Sequence, residues 1–228
     1  MPFFFYDPTM LLLIPAFILA LYAQFKVKST YDRFSKIPSA WGRSGASVAR
    51  DILNHNGLHD VEIEETHGVL SDHYDPRVRK LRLSSQNFRS SSIAAISVAA
   101  HEVGHAIQHK TGYAPLQVRH AILPVVGLGS NLAFPLFFIG LIFSSPQLMD
   151  IGILLFTGVV LFQLVTLPVE FNASHRALQQ LESGEYLHRD EISGAREVLK
   201  AAALTYVAAT AMALINLLRL ILIARSRD

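Results

Sequence analysis

The residues with the clearest chemical pattern are His101, Glu102 and His105, which together form an H-E-x-x-H motif. Residues four apart lie on one face of an α-helix, so both imidazoles can reach a single metal ion. Glu102 would lie beside that ion, where its carboxylate can take a proton from water. The three residues interrupt a stretch rich in alanine and valine, where burying a charge is costly without a partner. The motif therefore predicts a catalytic metal site on a buried helix.

The motif supplies two ligands, and a catalytic zinc site needs a third one from the protein. The chain contains no cysteine, and the best candidate is Glu170, in the segment LPVEFNAS. Two long apolar segments separate His105 from Glu170, and a chain that crosses a membrane twice returns to the same face. The alternative is a solvated glutamate at a helix end. We expect one Zn²⁺ ion per chain, held by His101, His105 and Glu170.

The elements that must position these residues lie between Lys26 and His120. Helical spacing of apolar residues predicts helices over Ser44–His55 and Ser91–Lys110, and the second of these carries the motif. Alternation of apolar and polar residues predicts strands over Val61–Glu65 and Arg79–Ser84. We expect Arg79–Ser84 or its partner to form a sheet edge on which an extended peptide can lie.

The rest of the chain is dominated by apolar segments. Of its 228 residues 51% are hydrophobic and 17% are charged, whereas soluble domains average about 25% charged. The lack of cysteine excludes a disulfide-stapled secreted domain, and a net charge of +2 argues against nucleic-acid binding. A helix needs about 20 apolar residues to cross a bilayer. Four segments approach or meet that length: Thr9–Phe25, Ala121–Phe143, Ile151–Val169 and Ala201–Ala224.

These patterns predict a mainly α membrane protein with about four transmembrane helices and a small α+β domain that carries the H-E-x-x-H helix. The predicted parts are a first transmembrane helix (1–25), a zincin-like α+β catalytic region (26–120), a transmembrane hairpin (121–169), a third-ligand helix and loop (170–197), and a fourth transmembrane helix with a tail (198–228).

The distribution of Lys and Arg predicts the orientation, because loops rich in these residues stay in the cytoplasm. Residues 26–90 contain eleven of them, whereas the turn Ser144–Asp150 contains none. The active site is therefore expected to face the cytoplasm, with the N-terminus and the turn outside. A tail carrying Arg225 and Arg227 would then end outside, against the rule, so the sequence leaves open whether the fourth segment fully spans.

At these residues the sequence resembles the YugP-type membrane zinc metallopeptidases of bacteria. The stretches that carry the resemblance, in order, are SGASVARDIL, SDHYDPRVRKLRLS, SVAAHEVGHAIQH, LPVEFNASHRAL and GAREVLKAAALTYVAA. The resemblance implies a zincin-type metalloendopeptidase in the bacterial cell membrane, with zinc at His101, His105 and Glu170 and with Glu102 as general base. Its substrates would be peptides or proteins, membrane proteins included.

The sequence is also similar to the HtpX-type and CAAX-type membrane peptidases, whose third ligand begins a Glu-x-x-x-Asp pattern. Here the fifth position is Ser174, so Asn172 or Ser174 is a candidate for orienting a ligating histidine. His175, five residues after the proposed ligand, is a candidate donor to the tetrahedral oxyanion, with Tyr113 and Arg176 as rivals.

Two alternative functions remain open from the sequence. One is a non-catalytic membrane scaffold or chaperone that uses zinc structurally. The other is an intramembrane protease of the site-2 type, which would use a later aspartate as third ligand. Asp150 is the aspartate near the third apolar segment, and its expected position on the opposite membrane face argues against this arrangement.

Overall fold

The computed structural model describes residues 8–68 and 71–226, so the predictions for residues 1–7 and for Arg227 lie outside the described part of the chain. The described chain is mainly helical, as predicted. A short 3₁₀ helix (Pro8–Leu12) precedes seven α-helices: α1 (Leu13–Phe34), α2 (Gly45–His55), α3 (Ser85–Arg89), α4 (Ile93–Lys110), α5 (Ala114–Ile142), α6 (Pro146–Ser183) and α7 (Arg189–Arg225). The described strands are β1 (Glu62–Thr66), β2 (His73–Asp75) and β3 (Lys80–Ser84).

The three strands form one mixed sheet with β3 in the centre. β1 pairs with β3 in parallel, and β2 pairs with it in antiparallel orientation. Of the two possibilities predicted for the sheet edge, Arg79–Ser84 or its partner, the structure has the second, because both sides of Arg79–Ser84 are hydrogen-bonded. Its partners β1 and β2 are the edges. β2 was not predicted, since three residues are too few to show an alternating pattern.

Two compact units are formed by the chain. We call Phe25–Leu116 together with Val169–Leu204 the polar unit, and the remaining described residues the apolar unit. In the polar unit, fully buried side chains from α2, β3 and α4 form the core, including Ile52, Leu81 and Ile96. The apolar face of α2, predicted from its spacing, is the face that is buried here.

Helix α4 lies in this core and is buried on nearly all sides. It begins at the cap residue Ser92, whose hydroxyl oxygen accepts a hydrogen bond from the backbone N–H of Ala95 at 3.2 Å. Its C-terminal cap is Thr111, and Gly112 follows. Gly112 has a φ of 62°, in the left-handed region that favours glycine. The predicted helix therefore forms within two residues of its expected start.

The described part of the chain has four helical stretches long and apolar enough to cross a membrane: Pro8–Phe34, Ala114–Ile142, Pro146–Ser183 and Arg189–Arg225. They cover the four predicted segments except Phe143, which lies just beyond the end of α5. In the apolar unit, the large apolar residues Val125, Leu128 and Leu154 are 71%, 70% and 71% exposed. Such an exposed apolar surface suits contact with lipid. Pro124 and Pro135 lie inside α5, as bilayer helices tolerate.

Helix α6 joins two parts that the sequence suggested were separate. The third apolar segment and the predicted third-ligand helix form one continuous helix through Pro168. A proline removes one backbone donor, and packing on neighbouring helices can compensate for this loss. Glu170 therefore lies on the same continuous helix as the third apolar segment.

Candidate metal centre

The three predicted ligands meet between α4 and the second half of α6. Nε2 of His101 lies 3.2 Å from Oε2 of Glu170, and Nε2 of His105 lies 3.5 Å from the same oxygen. The two imidazole rings are nearly perpendicular, with centroids 4.8 Å apart. One ligand atom from each of the three residues falls within 4.8 Å of the others. This group can hold a metal ion.

A glycine allows the two helices to approach this closely. A Cβ atom on Gly104 would lie 2.5 Å from the carbonyl oxygen of Ala173, a backbone atom that cannot move aside easily. Gly104 lies between the two histidines in the chain, and Ala173 lies one turn after Glu170. The residue without a side chain therefore brings the carboxylate within reach of the imidazoles.

The burial of the group favours a cation beside it. The side chain of Glu170 is 3% exposed, and those of His101 and His105 are 13% and 12% exposed. A buried carboxylate is costly unless positive charge compensates it. Two imidazole nitrogens and one carboxylate oxygen are also the donors of thermolysin-type zinc sites. The residues present therefore fit a zinc ion.

Glu102 lies next to this group and is itself buried, at 9% exposure. Its charge acts on His105. Burial of the His105 ring lowers its pKa, but the neighbouring carboxylates of Glu170 and Glu102 outweigh burial. The pKa of His105 is therefore raised above its ordinary value.

The outer nitrogens of both rings also have partners. Nδ1 of His101 lies 3.2 Å from Oγ of Ser174, and Nδ1 of His105 lies 3.0 Å from Oε1 of Gln108. Such contacts orient ligating histidines and leave Nε2 for the metal. Ser174 thus lies where an orienting residue is needed.

Gln108 was not singled out in the sequence, although it is fully buried and connects α4 to α6. Its Nε2 donates to the carbonyl oxygen of Val169 at 2.8 Å and to Oδ1 of Asn172 at 3.0 Å. Nε of Arg176 donates to the same Oδ1 at 2.8 Å. The available signal was its position three residues after His105, on the buried side of the motif helix.

The remaining predicted residues are placed differently. The side chain of His175 is exposed, and its five-residue offset from Glu170 turns it away from the ligand face of α6. Arg176 is bonded to Asn172, and Tyr113 is half-buried just beyond the end of α4. The role of these residues in stabilising an oxyanion stays a prediction.

Comparisons with known proteins agree with the resemblance seen in the sequence. A family model described as "Putative neutral zinc metallopeptidase" matches residues 9–225. A relative from Bacillus subtilis (strain 168), described as "Putative membrane protease YugP", is 50% identical over 212 residues, which cover 93% of this chain and 94% of the relative. No solved structure matches the chain. Because the family match and the relative both extend over nearly the whole chain, the protein belongs to the neutral zinc metallopeptidase family.

Proposed function

We propose that the protein is a membrane-embedded metalloendopeptidase in which His101, His105 and Glu170 hold one zinc ion per chain and Glu102 is the general base. The observation that carries this proposal is the convergence of one nitrogen from each imidazole and one carboxylate oxygen within 4.8 Å of one another. Membership of a zinc metallopeptidase family supports it independently.

The chemistry follows from the donor set and from Glu102. A zinc ion bound there supplies a Lewis acid that makes water nucleophilic at neutral pH and polarises the peptide carbonyl. Glu102 accepts a proton from the attacking water and passes it to the leaving amine nitrogen as the carbon–nitrogen bond breaks. The donor to the developing oxyanion is expected to be Tyr113 or Arg176, since His175 is turned away from the ligand face of α6.

We place the enzyme in the bacterial cell membrane, with its site on the cytoplasmic side. The eleven Lys and Arg residues between 26 and 90 support this orientation, because these residues lie in the polar unit with the metal ligands. The substrates are peptides or proteins that reach this face, membrane proteins included.

The deciding experiment compares wild-type protein with Glu102→Gln. Both should contain about one zinc ion per chain, whereas cleavage should fall by at least about 100-fold in the variant, as loss of a general base predicts. Comparative membrane proteomics of cells carrying either form identifies substrates that accumulate when cleavage stops. Glu185→Gln, at an exposed glutamate, is the matched control and should cleave normally.

Retained proteolysis in Glu102→Gln would overturn the mechanism. If Glu102→Gln instead loses both its zinc and its fold, the zinc site is structural, since structural zinc contributes to folding.

A further inference from the structure

The donor and acceptor atoms in the hydrogen bonds around Gln108 can be assigned one after another, starting from Arg176. The guanidinium of Arg176 can only donate, so the atom of Asn172 that faces its Nε is the amide oxygen. That oxygen also receives a hydrogen bond from Gln108, and the carbonyl oxygen of Val169 receives another. Two neighbouring acceptors identify the facing atom of Gln108 as its amide nitrogen.

The other end of Gln108 then determines the proton position on His105. With its nitrogen directed at Val169 and Asn172, Gln108 presents its oxygen to Nδ1 of His105 at 3.0 Å. An amide oxygen only accepts, so Nδ1 must carry a hydrogen. In the neutral ring the lone pair is then on Nε2, the nitrogen that faces Glu170 at 3.5 Å.

His101 has no equivalent constraint. Its Nδ1 lies 3.2 Å from the hydroxyl of Ser174, which can either donate or accept. The two ligating histidines therefore differ: the surroundings of His105 specify one tautomer, whereas the partner of His101 is compatible with both.

We propose that Gln108 is a positioning residue that fixes the metal-binding tautomer and ring orientation of His105, with Asn172 and Arg176 fixing Gln108 in turn. This proposal rests on the proposed function, because it assigns His105 as a zinc ligand. The two ends of the Gln108 side chain have separable roles: the oxygen prepares the ligand, and the nitrogen joins α4 to α6.

Two variants separate these roles in the full-length, detergent-solubilised protein. Gln108→Leu removes both ends, and we expect its zinc affinity, measured by competition with a chromogenic chelator, to be at least tenfold weaker than that of wild type. Gln108→Glu keeps an oxygen acceptor for Nδ1 but loses the amide donors. We expect its zinc affinity to stay within tenfold of wild type, while the melting temperature of the metal-free form falls.

Gln179→Leu, at an exposed glutamine on α6, is the matched control and should bind zinc as wild type does. The proposal is overturned if Gln108→Leu stays within tenfold of wild type, or if Gln108→Glu is weakened by tenfold or more. If Gln108→Leu does not fold, the zinc affinity of Gln108→Glu relative to wild type still tests the proposal. Proteolysis by Glu102→Gln, with zinc affinities as expected, would overturn the catalytic mechanism alone.

Discussion

Gly104 sets the distance between the two helices that supply the metal ligands. Adding a single methyl group there places carbon 2.5 Å from the backbone oxygen of Ala173, so the helices must move apart. Since Glu170 lies one turn before Ala173 on α6, this movement would also take the carboxylate away from both imidazoles. Stability and metal binding are thus coupled at one residue.

Gly104→Ala should lower the free energy of unfolding by about 1–3 kcal/mol, as overpacking of a tight core does, and should also reduce the zinc content. Denaturation of the purified protein and metal analysis measure the two effects. Gly158→Ala is the control, because a Cβ at that helical position meets no atom within 4 Å. Wild-type zinc content and stability in Gly104→Ala would contradict the proposed role of this contact.

The site residues differ in how far the sequence could predict them. His101, Glu102 and His105 follow from helical periodicity alone, because their relation is local. Glu170 required counting two membrane crossings, and the structure brings it to the histidines. Gln108 could not be assigned, since its partners Val169 and Asn172 become neighbours only when α6 packs against α4.

At the scale of elements, the half-buried carboxylate of Asp72 joins the sheet to α3. Asp72 accepts hydrogen bonds from the backbone N–H of Ser84 at 2.8 Å and from Nδ2 of Asn87 at 2.9 Å. Oδ1 of Asn87 accepts in turn from the hydroxyl of Tyr31 in α1 at 2.7 Å. Asp72 therefore connects the segment before β2 with β3, α3 and, through Asn87, α1.

Asp72→Ala should destabilise the protein by about 2–4 kcal/mol, because it leaves three donors of buried residues without this acceptor: the backbone N–H and hydroxyl of Ser84 and Nδ2 of Asn87. Asp60→Ala is the comparison: it removes an exposed ion pair with Arg79 and should cost at most about 1 kcal/mol. Denaturation of both variants gives the difference. Equal losses would show that the hydrogen bonds around Asp72 contribute no more than a surface ion pair.

The elements also show what periodicity can and cannot predict. The helices α2 and α4 have long, regular apolar faces and form close to their predicted bounds. The three residues of β2 carry no pattern, and without β2 the strand β3 looked like a possible edge. The continuity of α6 depended on whether Pro168 ends a helix or is accommodated in it, which a sequence pattern does not decide.

At the scale of the whole molecule, orientation in the membrane can be tested because the chain has no cysteine. The predicted spanning segment of α6, Ile151–Val169, has 19 residues and is about 28 Å long, close to a hydrocarbon core of about 30 Å. The two ends of α6 should therefore emerge on opposite sides. Gln147 and Ser183 are exposed and lie at these ends.

We expect Gln147→Cys to react with a membrane-impermeant thiol reagent in intact cells, and Ser183→Cys to react only after permeabilisation. This pattern follows if the polar unit, with its Lys and Arg residues, stays in the cytoplasm. The cysteine-free wild type controls for labelling of other groups. The reverse pattern would place the metal ligands outside the cell.

The same assay decides where the end of α7 lies, which the charge rule left open because of Arg225. Within the apolar unit, Nε of Arg219 near the end of α7 donates to Oγ1 of Thr9 at 3.2 Å, just before α1 begins. A contact between the start of the first span and the end of the last requires an even number of crossings between them. Ser226→Cys should therefore react in intact cells, as Gln147→Cys does. Labelling of Ser226→Cys only after permeabilisation would mean that α7 does not cross and that its basic end obeys the charge rule.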